Sequence, residues 1–209
     1  MPSQEPPPHF SMIRSFHLAD LFTLANAACG VAAVLSAMRF IATRSTTDLL
    51  VAAAFVPAAL VFDVLDGRVA RHRGTHSALG RELDSLADVI SFGVAPAAIA
   101  WASGLNGGWD ALLLVYFVCC GVSRLARYNV TAETLAAGSA APPYFEGTPI
   151  PTSVVLVLIL AWAAWSGRLG VDLPGGSIVL GPWTLHALAL LFGASGSLMI
   201  SKSLRIPKL

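Results

Sequence analysis

The chain has 209 residues, 56% of them hydrophobic and only 12% charged, with a formal net charge of +1 and a mean hydropathy of +0.70. A water-soluble domain carries about 25% charged residues, so the composition excludes an ordinary soluble fold and points to lipid as the solvent. The near-zero charge gives no bulk electrostatic attraction for nucleic acid, which is not expected as a partner.

In chain order, residues 1–12 open with a Pro-rich polar stretch (PSQEPPPHF) that reads as a disordered tail and lacks the basic start of a cleaved signal peptide. Spanning a bilayer takes about 20 mostly apolar residues. Six candidate spans follow, at residues 18–41, 49–70, 80–102, 109–129, 151–165 and 180–201, the fifth being short and opening with Pro151. The longest connection, 130–149 (VTAETLAAGSAAPPYFEGTP), mixes helix formers with Pro and Gly and reads as a partly ordered loop or a short surface helix. No linker divides the chain. The expected fold is therefore a single domain over 1–209: an all-α polytopic membrane protein of six transmembrane helices.

Three cysteines, Cys29, Cys119 and Cys120, sit in apolar runs. They are too few for a disulfide framework or a zinc site and read as small buried hydrophobes. Trp101, Trp109, Trp162, Trp165 and Trp183 fall near one set of span ends, as interfacial anchors do. His186 lies near that same surface with no evident partner. Six spans put both termini on one side, together with ten of the 13 Lys and Arg residues; only Arg39, Arg44 and Arg168 fall on the other. The positive-inside rule then makes both termini cytoplasmic, and the protein integral to the cell membrane. The basic tail residues Lys202, Arg205 and Lys208 suit anionic headgroups.

The second span carries Asp63 and Asp66, and the third carries Glu82, Asp84 and Asp88. Ionisable groups inside a membrane are costly and mark function by default. At about 100° per residue, Asp63, Asp66, Gly67, Ala70 and Arg71 share an arc of about 140°, while Gly80, Asp84 and Asp88 cover about 80°. The nine-residue connection between them, 72–80, makes the two helices antiparallel neighbours. Four carboxylates then converge beneath the cytoplasmic surface. Two of them about 4 Å apart repel by about 4 kcal/mol at an effective dielectric of 20, so protons or cations must neutralise the group. All-oxygen ligands suit Mg²⁺, Mn²⁺ or Ca²⁺, and a pair of ions suits phosphoryl transfer. Gly67, Ala70 and Gly80, on the same faces, permit close approach of a ligand or of another helix.

These positions read Asp63-x-x-Asp66-Gly67-x-x-Ala70-Arg71, then eight residues, then Gly80-x-x-x-Asp84-x-x-x-Asp88. The pattern resembles the complete signature of the CDP-alcohol phosphotransferase family, and the span count extends the likeness over nearly the whole chain. The resemblance implies that Asp63, Asp66, Asp84 and Asp88 hold two ions, Mg²⁺ or Mn²⁺. It implies that Asp88 is also the general base, and that Gly67, Ala70, Arg71 and Gly80 form the cytidine pocket. It further implies a homodimer. Residues 62–96, 123–129 (SRLARYN), 144–151 (YFEGTPIP) and 198–201 (LMIS) resemble the membrane-integral phosphatidylserine synthases within that family. The donor implied is CDP-diacylglycerol and the acceptor L-serine. Thr148 stands where that subfamily leads one to expect Leu, which bears on the acceptor.

A serine carboxylate needs a cation. Arg124 and Arg127, near the cytoplasmic end of the fourth span, are candidates, with Arg127 preferred; positive-inside anchoring explains them equally well. Asn129 and Glu146 are further acceptor-side candidates. Thr23 and Asn26, three apart on the first span, contact either the nucleotide and diphosphate or a neighbouring helix. Glu82 lies off the aspartate face, where it pairs with an arginine, and His72 and His76 belong to the solvated loop. The alternatives are a family member with another acceptor, such as glycerol phosphate or inositol phosphate, and a divalent-cation transporter. Transporters set their sites at the midplane between paired halves, whereas these acids come from adjacent spans near one surface.

Overall fold

The computed structural model describes residues 18–73, 78–136, 144–201 and 205–207; the expected tail 1–12 and the loop residue His76 lie outside them. Helices α1 (Leu18–Thr43) and α2 (Thr46–Arg73) form an antiparallel pair. The reversal between them is tight. Arg44 adopts a left-handed φ of 57°, and Thr43 donates to Asp48 at 2.7 Å while Asp48 meets Arg39 at 3.4 Å. The seam is lined by small buried residues, Ala33 and Ala37 on α1 and Ala52, Ala53 and Ala59 on α2. Small side chains let the backbones approach closely, which is how helices associate where lipid removes the hydrophobic drive between them. Pro57 lies inside α2 and removes one helical N–H donor six residues before Asp63.

The expected third span is not one regular helix. Helix α3 (Ala78–Asp88) runs into a π-helical turn, Val89–Val94, and then into α4 (Ala95–Ser103). The wider turn shifts the helical phase between α3, which carries Asp84 and Asp88, and α4, and its residues Ser91, Phe92 and Gly93 are buried. Helix α5 (Gly108–Ala136) extends past the expected end at 129. Residues 130–136 include Ala, Glu and Leu, good helix formers, and meet no Gly or Pro until Gly138.

A short strand β1 (Tyr144–Glu146) and a 3₁₀ turn (Ile150–Ser153) lead into α6 (Val154–Trp165). Strands β2 (Ser177–Leu180) and β3 (Trp183–His186) form an antiparallel hairpin, followed by α7 (Ala187–Ile200) and by β4 (Arg205–Pro207), which pairs with β1. Two expectations need correcting here. The fold is mainly helical but contains two small antiparallel ladders, and the last helix starts at Ala187 rather than 180. Gly181, at φ 63°, and Pro182 turn the chain there, and neither continues a helix.

Among the described residues, four helices, at 20–43, 46–69, 79–103 and 108–131, are long and apolar enough to cross a membrane, and two shorter apolar helices run over 150–165 and 187–200. The chain is therefore an integral membrane protein. Helix α7 lies along α5, and α6 packs on α2 and α4. The buried centre includes Phe92, Ile99 and Leu160, with Phe117 and Phe192 edge to face at 5.3 Å.

His186, without a partner in the sequence reading, is held at the start of α5. Its Nδ1 lies 2.6 Å from Asp110 Oδ2, its backbone N–H donates to Asp110 Oδ1 at 2.8 Å, and both residues are buried.

Candidate active site

The aspartates meet where the end of α2 faces α3. One carboxylate oxygen from each of Asp63, Asp66 and Asp84 lies within 4.8 Å of the others. Asp84 Oδ1 is buried and accepts no hydrogen bond among the described residues. At such spacing three anions repel by about 4 kcal/mol per pair at an effective dielectric of 20. A buried oxygen without a donor, inside a cluster of hard oxygen ligands, fits a divalent cation such as Mg²⁺ or Mn²⁺. Asp88, one turn further along α3, is outside this tight trio and buried.

Helix α1 supplies the polar wall. Thr23 Oγ1 donates to Asp66 Oδ2 at 2.8 Å, and Asn26 Nδ2 donates to Asp88 Oδ1 at 3.2 Å. Both residues are buried. Both make the contact with neighbouring helices that the sequence allowed, and the neighbours' groups are the site aspartates themselves. Asp20, one turn earlier and also buried, is near enough for its charge to act on Asp66. It went unnoticed in the sequence, although Asp20, Thr23 and Asn26 step by three along one helix face. A second missed pair fixes that face against the π turn. Ser91 Oγ donates to the Asn26 carbonyl at 2.8 Å, and a Cβ on Gly30 would lie 2.5 Å from Ser91 Oγ. Only glycine allows so close an approach.

Helix α5 closes the other side. Asn129 Nδ2 donates to Ser85 Oγ at 3.0 Å and to Glu82 Oε1 at 3.2 Å. Asn129 thus ties α5 to α3, and among the described residues Glu82 meets an amide rather than an arginine. Arg124 is partly buried, its charge reaches Asp88, and its Nε has no hydrogen-bond partner among the described residues. Arg127, the preferred cation from sequence, instead donates through an Nη nitrogen to the Ile200 carbonyl at 3.5 Å, at the end of α7. Thr148 N–H donates to the Leu198 carbonyl at 3.2 Å, and the Thr148 hydroxyl is buried without a partner among the described residues.

Gly67 ends the acidic stretch of α2, and Gly80 opens the acidic face of α3. The side chains of Ala70, Arg71, His72 and Glu146 lie outside the described residues.

Comparison with known proteins gives a consistent result. The family model for CDP-alcohol phosphatidyltransferase matches residues 16–194. A Saccharomyces cerevisiae protein named CDP-diacylglycerol–serine O-phosphatidyltransferase is 44% identical over 206 residues, 96% of this chain and 74% of the yeast protein. Proteins of the same name from Mycobacterium leprae and Helicobacter pylori are 43% identical over 51% of this chain and 41% identical over 67% of it. The chain spans 36% of the length of the Mycobacterium relative and 55% of the Helicobacter one.

Proposed function

The chain belongs to the CDP-alcohol phosphatidyltransferase family, and from that premise we propose that it transfers the phosphatidyl group of CDP-diacylglycerol to L-serine, releasing CMP. The observation that carries the reading is the meeting of Asp63, Asp66 and Asp84 within 4.8 Å of one another. It is supported by relatives bearing that activity in their names, one of them alike over 96% of this chain.

Asp63, Asp66, Asp84 and Asp88 would hold two divalent cations, Mg²⁺ or Mn²⁺, whose charge offsets that of the donor diphosphate and of the transition state. The remaining steps belong to the chain. Gly67, Ala70, Arg71 and Gly80 receive the cytidine end of the donor, with small side chains admitting a flat base. Thr23 and Asn26 hold Asp66 and Asp88 in orientation. Asn26 occupies Asp88 Oδ1, so Oδ2 takes the proton of the serine hydroxyl. The freed oxygen attacks the phosphorus that bears the diacylglycerol, the bond from that phosphorus to the bridging oxygen breaks, and CMP leaves. Much of the acceleration comes from positioning.

Arg124, beside Asp88, is the better cation for the serine carboxylate, with Arg127 and Asn129 acting through the ends of α7 and α3. Glu146 and Thr148 belong to the loop on the acceptor side. Helices α6 and α7 complete six spans, both termini face the cytoplasm with the site beneath the inner leaflet of the cell membrane, and the enzyme works as a homodimer.

The test is a product assay with purified protein, CDP-diacylglycerol, Mg²⁺ or Mn²⁺, and serine, glycerol phosphate or inositol phosphate in parallel. Phosphatidylserine with serine alone is the expected result, and CMP release with a phosphorylated acceptor instead would overturn the assignment. Asp88→Asn is expected to abolish turnover while donor binding persists.

A further inference from the structure

The β2–β3 hairpin stands at the end of the molecule opposite the aspartates. It is fastened to the start of α5 by the Asp110–His186 contact, by the Trp109 indole N–H donating to the Leu180 carbonyl at 3.0 Å, and by Trp183 set edge-on to Trp109 at 5.3 Å. From Asp110 to Asn129, which borders the site, α5 rises about 29 Å at 1.5 Å per residue. That matches a hydrocarbon core of about 30 Å. The hairpin therefore lies one bilayer core away from the site.

Its composition is wrong for water. Residues 177–186 contain no Asp, Glu, Lys or Arg. A solvated two-stranded ladder keeps one face polar. Here Ile178 and Val179, neighbours that point to opposite faces, are 57% and 75% exposed. At the end of α6, Trp162 and Trp165 are 54% and 80% exposed, and the Arg168 guanidinium sits 5.9 Å from the Trp162 ring. An aromatic band with a cation beside it is the signature of the headgroup level. Deeper immersion is ruled out, because the two open strand edges carry backbone groups that hydrocarbon cannot satisfy.

We propose that the β2–β3 hairpin is a membrane anchor, seated in the headgroup–acyl boundary of the leaflet opposite the active site and gripping lipid through apolar side chains on both of its faces. The occupant is lipid rather than a second copy, because the uncharged hairpin is fastened to the start of α5, a helix long and apolar enough to cross the membrane, at the level where Trp109 and Trp183 meet. The anchor also suits the short α7. Its 14 residues rise about 21 Å at 1.5 Å per residue, short of the core, and an interfacial hairpin joins it to the far headgroup layer.

The test uses the full chain in phosphatidylcholine–phosphatidylglycerol vesicles, with Cys29, Cys119 and Cys120 replaced by Ala and a nitroxide on Ile178→Cys or, separately, Val179→Cys. Both side chains are exposed, and retained product formation certifies each labelled protein. Oxygen and a water-soluble nickel chelate then compete for the label. The expected result is an oxygen-to-nickel accessibility ratio several-fold above that of Asp172→Cys in the preceding loop and below that of Leu158→Cys at mid-α6. A ratio equal to that of Asp172→Cys would make the hairpin an aqueous loop and overturn the proposal. Strong spin–spin broadening with protection from both reagents would mark a contact between copies and overturn it equally. If the Cys-free protein loses activity, the same ratios are read from Trp109→Phe and Trp183→Phe proteins as the loss of indole quenching by shallow brominated lipid. No loss in either would count against the anchor.

Discussion

Thr23 donates to Asp66 at 2.8 Å, a small contact with a large expected consequence. Groups that orient a metal ligand cost about 10–100-fold in affinity or activity when removed. Thr23→Val keeps the volume and deletes the hydroxyl. It is expected to raise the Mg²⁺ or Mn²⁺ concentration needed for half-maximal rate by a factor in that range, with the fold unchanged by circular dichroism. A cation requirement identical to wild type would show that the hydroxyl does not orient Asp66. Gly30→Ala probes the same wall differently, since the new methyl meets Ser91. Overpacking of this kind costs about 1–3 kcal/mol and should swing Asn26 off Asp88. The expected outcome is a lowered melting temperature together with a kcat that falls more than KM rises, and because the methyl also meets the Ser91 Cα and N at 2.8 and 2.9 Å, adding Ser91→Ala relieves it only in part. At this scale the aspartates were legible in the sequence because 3.6-residue periodicity puts each pair on one face of its helix; that α1 packs on both α2 and α3 was not. Nor were the roles of Asn129 and Arg127. Both end near the predicted acceptor side, yet one spends its amide on Glu82 and Ser85 and the other reaches the Ile200 carbonyl. Which neighbour a polar side chain takes depends on helices far away in sequence.

Among the elements, the hairpin and the strand pair β1–β4 were invisible beforehand for a shared reason. Each strand is three or four residues long, too short to establish a period-two pattern, and a hydropathy window of helical length absorbed residues 180–186 into the last span. The π turn was hidden as well, since its residues (VISFGV) are apolar throughout and only contact with Gly30 and Asn26 gives the wider turn a purpose. The hairpin's attachment makes a quantitative claim. Asp110 accepts from two backbone N–H groups, those of Gly107 at 2.9 Å and His186 at 2.8 Å, besides meeting the imidazole. Asp110→Ala strands all three donors in a buried place, at a cost of about 3 kcal/mol or more. The melting temperature of the purified protein should then fall by at least about 6 °C for a chain of this length. The KM values for donor and serine should stay put, because about 29 Å of helix separates Asp110 from Asn129. At the other end, Ile206→Pro removes a backbone donor from the ladder with Phe145. If that ladder holds the acceptor-side loop, the KM for serine rises while that for CDP-diacylglycerol does not.

For the molecule as a whole, the decisive quantity is the vertical order of its charges. The acids and the helix ends bearing Arg68, Arg81, Arg124 and Arg127 gather at one level, while the tryptophans, Arg168 and the hairpin gather at the other. Helix α5 connects the two levels in a single pass, with Asp110 at its start and Asn129 near its end. Counted on the six proposed spans, ten of the 13 basic residues fall on the side of the acids and three on the other, and lysines and arginines near span ends resist translocation. In the proposed reaction a donor bearing a cytidine diphosphate headgroup and a water-soluble acceptor would both arrive from the cytoplasm, so the charge bias and the proposed chemistry call for the same orientation. A reporter that fluoresces only in the cytoplasm, fused after Leu209, should therefore be bright, and a periplasmic phosphatase in the same place should be silent. The phosphatase inserted between Gly175 and Gly176, at the foot of the hairpin, should be active. Because both glycines adopt positive φ in an exposed turn, the insertion site tolerates added chain. The opposite pair of signals would mean either that the whole chain is inverted, with the aspartates on the outer side away from nucleotide, or that α6 fails to cross, and a reporter before α1 separates the two. Activity of the phosphatase at both positions would mean that the short α7, which lies between them, fails to cross, reducing the proposed six spans to five and leaving the C-terminus on the outer side.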